Sequence, residues 1–198
     1  MNETAAGPTV VRKRPQRFSW GCLFWILLIL LLIVPGLVPI SRVLEKAKMT
    51  DARVTMTAVL NAITSFERDN DRLPLQPAAP KAKDFDTDTS PASGMIALLM
   101  GMDVAGNPRV TDYLGEIKEA KVIKDKLLGG LYRQTETTIG LYDPWGQPYR
   151  IRLDGDSDGG VDDPSAPGTR IPKTIAIWSA GKDGDFSTWE DNAASWKR

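Results

Sequence analysis

The sequence predicts an α+β protein in which a long N-terminal helix, apolar and then amphipathic, packs on a small antiparallel β-sheet. Three observations predict it. Residues 18–41 hold no charged side chain, and residues 49–66 carry apolar side chains at alternating three- and four-residue spacings. Two later stretches alternate apolar and polar residues, the period of a half-buried strand.

The first element is "FSWGCLFWILLILLLIVPGLVPI", residues 18–40. At about 1.5 Å per residue such a helix crosses a hydrocarbon layer of roughly 30 Å, so the stretch is expected to span a membrane. Arg12, Lys13, Arg14 and Arg17 precede it. By the positive-inside rule they hold residues 1–17 in the cytoplasm and place the chain from Arg42 onward outside. Pro35, Gly36 and Pro39 predict a kink or an unwound turn.

Residues 41–70 are the amphipathic continuation. Met49, Ala52, Met56, Val59, Ile63 and Phe66 fall on one helical face, and Lys48, Asp51, Arg53, Thr57, Asn61, Thr64 and Arg68 on the opposite one. Asp69, Asn70, Asp71 and Pro74 close the helix. Residues 71–141 read as a variable connecting region, with a short helix near 94–101, a turn of helix around Tyr113 and Ile117, and a weak strand near 131–138. Residues 142–198 supply the sheet. Tyr149, Ile151 and Leu153 alternate with Arg150 and Arg152, Ile175 and Ile177 alternate in a second strand, and "DPWGQP" (143–148) makes a turn with a buried tryptophan.

Composition excludes several chemistries. With no histidine, Ser-His-Asp, Cys-His and histidine-zinc sites are ruled out. The single cysteine, Cys22, forms no internal disulfide. Twenty-five basic residues against 25 acidic ones argue against a nucleic-acid partner, which needs a basic face. No enzymatic activity is expected, because the acids lie in glycine-rich loops where metal binding is a simpler role than paired-carboxylate hydrolysis.

Those acids fall in two groups. "DGDSDGGVDDPS" places Asp154, Asp156, Asp158 and Asp162 at the first, third, fifth and ninth positions of an EF-hand-like loop, with Gly159 sixth. Ser165 stands where that loop needs a bidentate glutamate, and a solvated hairpin tip is the alternative. The second group, Asp183, Asp185, Glu190 and Asp191, follows the last strand among glycines. A solvated acidic turn is the alternative there.

"FERDNDRLP", "YDPWGQPYRI" and "IWSAGKDGDF", with the basic tail and single membrane helix, resemble type IV pilin-like proteins, most specifically the major pseudopilin of type II secretion systems. The resemblance covers residues 18–74 and 142–192. It implies a structural subunit of the bacterial inner membrane, anchored by one helix, with its C-terminal domain in the periplasm. It also implies homo-oligomeric assembly through the N-terminal helix, with membrane lipid, other pilin-like subunits and secretion-system proteins as partners. It implies calcium in the 183–191 loop, with Asp183 and either Asp191 or Glu190 as ligands and Asp185 as an additional acid. The family is cut after a glycine and has glutamate fifth in the mature chain; here Arg17 precedes Phe18 and Cys22 stands fifth. Those departures leave a second expectation open, a non-polymerising, membrane-anchored extracytoplasmic calcium-binding interaction module.

Overall fold

The computed structural model describes residues 20–76, 83–115, 117–135 and 138–197, so the expected cytoplasmic tail and Phe18 lie outside the described residues. The fold is mixed helix and antiparallel strand. Helix α1 (Trp20–Asn70) is followed by β1 (Phe85–Asp88), a 3₁₀ turn (Pro91–Ser93) and α2 (Met95–Leu99). Then come β2 (Lys121–Ile123), β3 (Lys126–Leu128), β4 (Gly130–Arg133), β5 (Ile139–Tyr142), β6 (Arg150–Leu153), β7 (Val161–Asp162), β8 (Arg170–Ile171) and β9 (Ile175–Trp178). The chain divides into two compact units, residues 1–43 and 44–198.

In the first unit the backbone stays helical through Pro35, Gly36 and Pro39, so no unwound turn interrupts it there. A proline removes one backbone hydrogen bond, and the bonds of the adjacent turns keep the helix closed. Phe24, Trp25, Leu27 and Ile29 are exposed. Among the described residues no helix is long and apolar enough to cross a membrane. Most of the apolar run, residues 18–23, 26 and 30–39, lies outside the described side chains.

In the second unit the helical stripe is buried as its spacing requires. Ala52, Met56, Val59, Ile63 and Phe66 are each at most 1% exposed, and Ala62 joins them. They meet Tyr149, Ile151 and Leu153 of the β6 stretch and Ile175 and Ile177 of β9 in one core. Each large side chain so buried contributes about 1.5–3 kcal/mol before the entropy of ordering is counted. Asp71, with φ +53°, ends α1 in the left-handed conformation that commonly follows a helix. On the opposite side of α1, Thr50, Thr57 and Thr64 are exposed, and each hydroxyl donates to the carbonyl four residues earlier, at 2.9–3.0 Å.

The main sheet has the order β1-β6-β9, all antiparallel. Its second face carries a smaller core of Val161, Ile171 and Ala176 with Trp196 packed on it. The Trp178, Trp189 and Trp196 rings lie with centroids 6.0–6.3 Å apart and fix the C-terminal segment against β9.

Residues 71–141 hold more structure than their composition suggests. β1 pairs with β6 through opposite charges, Asp86 opposing Arg152 and Asp88 opposing Arg150. The expected helix near 94–101 is the shorter α2, no helical turn forms at Tyr113, and the weak strand near 131–138 is β4, which ends at Arg133 and pairs with β5 beyond the expected range. Trp145 is half-buried instead of buried, because its indole N–H reaches out to donate to a Glu45 carboxylate oxygen at 3.1 Å.

Tyr149 is fully buried, and its hydroxyl has no hydrogen-bond partner. Thr55, a polar neighbour, donates its own hydroxyl to the Asp51 carbonyl. Burial pushes the Tyr149 phenol well above its ordinary range. Since an unpaired buried hydroxyl carries a desolvation cost, Tyr149→Phe is expected to leave stability unchanged or raise it by up to about 1 kcal/mol. Thermal unfolding checks this, and a clear loss would reveal a partner for the hydroxyl.

Candidate metal centre

The β1-β6 register creates the site. Phe85 opposes Leu153, so Asp84, one residue before β1, and Asp154, one residue after β6, emerge at the same end of the pair. Directly opposed residues on one face lie within about 5 Å at Cβ. Asp156 follows in the loop, and one carboxylate oxygen from each of Asp84, Asp154 and Asp156 lies within 4.8 Å of the others. Ligands on opposite sides of a calcium ion, each at about 2.3–2.6 Å, are about 5 Å apart, so the spacing accommodates one hard cation.

Asp154 is 2% exposed, and its carboxylate accepts the Asp158 N–H (3.2 Å) and the Gly159 N–H (2.9 Å). These bonds fold the loop and aim the carboxylate. Asp84 accepts the Asp162 N–H at 2.8 Å through Oδ2, whereas Oδ1 is buried and has no hydrogen-bond partner. Burial raises the Asp84 carboxyl above its ordinary value, the Asp162 N–H works against this, and the charges of Asp162 and Asp156 raise it further. A buried, unpaired oxygen in a like-charged group is the environment that a cation relieves.

Three basic residues border the same cleft, Lys83, Arg152 and Arg170. Arg152 is occupied by Asp86, at 2.6 and 2.7 Å, and by the Asp162 carbonyl. Arg170 clamps Asp158 with both terminal nitrogens and also donates to the Gly160 carbonyl. That clamp holds the Asp158 carboxyl below its ordinary value. Of the four acids at EF-hand-like positions, the structure therefore gathers Asp154 and Asp156, ties Asp158 to an arginine, and brings Asp162 in through its backbone. Asp163, the next acid in that loop, accepts the Ser165 N–H and hydroxyl. Asp84 is the ligand candidate that sequence reasoning missed. Its signal was the alternation of Asp84, Asp86 and Asp88, readable only once β1 is known to pair with β6.

The 183–191 acids are arranged differently. Asp191 accepts the backbone N–H groups of Lys182 (2.8 Å) and Asp183 (3.1 Å). Asp183 accepts the Asp185 N–H and the Thr188 hydroxyl. Asp185 accepts the Ser187 N–H first and its hydroxyl second, which together hold its carboxyl below the ordinary value. Glu190 is exposed. Among the described residues these four do not converge as the 84–154–156 group does. The loop does hold one orphan, the Asn192 side-chain oxygen, which is buried without a partner while its amide nitrogen faces the Phe186 carbonyl. Gly181 belongs here for steric reasons. Its φ is +68°, and a Cβ would lie 2.3 Å from the Asp191 carbonyl oxygen.

One buried acid anchors the approach to the 183–191 loop. Asp143, fully buried, accepts the N–H groups of Trp145, Gly146 and Gln147 at 2.7–2.9 Å through Oδ1, and the Ser179 hydroxyl donates to Oδ2. Ser179 in turn accepts the Gly181 N–H at 3.1 Å. Asp143 thus pins the turn entering β6 to the segment leaving β9, at the threshold of the 183–191 loop. No family model, no characterised protein and no solved structure matches this chain.

Proposed function

We propose that this chain is a pilin-like structural subunit of a type II secretion pseudopilus, anchored in the bacterial inner membrane with its C-terminal domain in the periplasm. It assembles through its N-terminal helix to support protein export. The observation that carries this reading is the two-part character of α1. Its 52–66 stripe is spent on the core of the second unit, whereas Phe24, Trp25, Leu27 and Ile29 are exposed on a stretch without a charged residue. Exposed large apolar side chains in that number call for lipid or a neighbouring helix.

In this reading a calcium ion is held by Asp84, Asp154 and Asp156, and the pseudopilin resemblance implies a second in the 183–191 loop through Asp183 and either Asp191 or Glu190. Such ions cross-link loops that have little backbone pairing of their own. They supply rigidity and no chemistry.

Arg17 before Phe18 and Cys22 in the fifth position favour the second reading, a membrane-anchored calcium-binding module that does not polymerise. The mass of the chain extracted from membranes separates the two. A chain beginning at Phe18 supports the fibre subunit. An intact Met1 overturns processing, and if cross-linking of Cys22 between copies also fails, it overturns assembly.

A further inference from the structure

We infer that the link between Asp183 and Gly184 is a site of spontaneous backbone isomerisation, at which the glycine nitrogen closes on the aspartate side chain and water reopens the ring as isoaspartate. The inference stands on the geometry of the 183–191 loop; only its sensitivity to calcium rests on the reading proposed above.

Aspartate is followed by glycine at three places in the chain, 154–155, 158–159 and 183–184. Glycine leaves the attacking nitrogen unshielded by a side chain. Ring closure needs that nitrogen free, the carboxyl carbon within reach, and solvent to carry protons. At the first pair Asp154 and Gly155 are both buried, and the Asp154 carboxylate is tied to the Asp158 and Gly159 N–H groups. At the second pair the Gly159 nitrogen is committed to that bond. Arg170 also clamps both Asp158 oxygens and holds the group ionised, and a carboxylate acylates poorly.

The third pair lacks these restraints. Asp183 is exposed, and among the described residues the Gly184 N–H has no hydrogen-bond partner. The Lys182 and Asp183 N–H groups are held by Asp191, so the turn is fixed from behind while its next nitrogen is left open. The Asp185 N–H donates to Asp183 Oδ1 at 2.8 Å, and the Thr188 hydroxyl donates to Oδ2 at 2.5 Å. Two donors on the carboxyl oxygens draw density from Cγ and stabilise the charge that builds on oxygen as the nitrogen adds.

The step needs no reagent but water. A bond forms between the Gly184 nitrogen and Asp183 Cγ, and the bond from Cγ to Oδ2 breaks. Oδ2 departs as water, carrying the proton of the Gly184 nitrogen and the proton of the neutral acid, which solvent supplies. A second water then opens the ring. Adding at Cγ, it restores aspartate; adding at the Asp183 main-chain carbonyl, it leaves the chain running through the side chain, with the main-chain carboxylate free. The lengthened turn no longer matches Asp191, and it leads to Trp189, whose ring packs on Trp178 and Trp196. A calcium ion on Asp183 would hold the carboxylate away from the nitrogen, so a loaded loop lasts and an empty one ages.

The test incubates the full chain at neutral pH in heavy-oxygen water, with calcium or with a chelator, and maps its peptides by mass spectrometry. Each ring opening writes a heavy oxygen into the residue, whichever carbonyl the water attacks. Label is expected in Asp183, with an isoaspartyl fragmentation pattern, about tenfold faster than in Asp154 or Asp158, where a hydrogen bond must first be released. Asp183→Glu keeps the carboxylate but requires a larger, slower-closing ring, and is expected to lose the label. Equal label at the three pairs, more at either of the others, or label persisting in Asp183→Glu overturns the inference. Label in Asp183 that calcium slows supports the inference and the ion together. Label that calcium leaves unchanged supports the inference and removes the ion from this loop. No label in the chelated chain, with a melting temperature that calcium raises, overturns the inference and leaves the ion standing.

Discussion

Asp143→Ala is expected to lose about 3–4 kcal/mol of folding stability, a large share of the 5–15 kcal/mol that holds an ordinary domain together. The substitution strands three backbone N–H groups and the Ser179 hydroxyl in a site closed to water. Asp143→Asn is expected to cost about 1 kcal/mol, because its carbonyl oxygen keeps the three N–H partners and its amide faces Ser179. Urea unfolding measures both, and equal losses would show that geometry of the acceptor is not what matters. The two variants also separate in pH. Burial holds the Asp143 carboxyl above its ordinary value of 3.8, outweighing the hydrogen bonds that favour the charge. A carboxyl raised in the folded state binds its proton more tightly there than in the unfolded chain. Its contribution is therefore greatest at acid pH and is lost as pH rises from 3.8 through the raised value. Asp143→Asn is expected to remove that part of the decline, so wild type gains on the variant as the solution is acidified.

Calcium is expected to raise the stability of the full chain by about 1.5–3 kcal/mol at ten to a hundred times the dissociation constant, since an ion bound only by the folded state stabilises it by mass action. For a chain of this length that is a rise in melting temperature on the order of 3–10 °C. The increment, not the absolute stability, is the informative quantity, because the acids also cap loop backbone. Asp84→Asn keeps an acceptor for the Asp162 N–H and removes the buried, unpaired oxygen's charge. It is expected to reduce the increment sharply, while Asp183→Asn removes the share of the second loop. A melting temperature indifferent to calcium would reject both ions. Asp156→Asn matching Asp84→Asn would support a shared ligand set.

The parts of this structure that were legible in the sequence are those where one face is dry and the other wet. The 52–66 stripe repeats at the helical period, and Tyr149, Ile151 and Leu153 alternate because Arg150 and Arg152 face the other way. β1 escaped notice because Phe85 is its one large apolar residue, and its partner is chosen by Asp86 and Asp88 meeting arginines across the pair. The β2-β3 turn is built on Lys124 and Asp125, without the asparagine or glycine that announces such turns. β5 was hidden for a different reason. Ile139, Gly140 and Leu141 are all buried, so the stretch lacks the alternation of a half-buried strand. The candidate metal centre divides along the same line. Asp154 and Asp156 lie within one loop and could be read locally, but Asp84 joins them across 70 residues by way of a strand pairing that no local pattern encodes. Asp143 belonged to a recognised turn, yet its link to Ser179 depends on how β6 and β9 are placed.

The threonines at 50, 57 and 64 recur every seven residues, one line down the outward side of the helix. With each hydroxyl already closed on its own backbone, that line has no alcohol proton left needing water. An apolar neighbour can slide onto it or withdraw without stranding a donor, so along this strip wet and dry states differ little in polar cost.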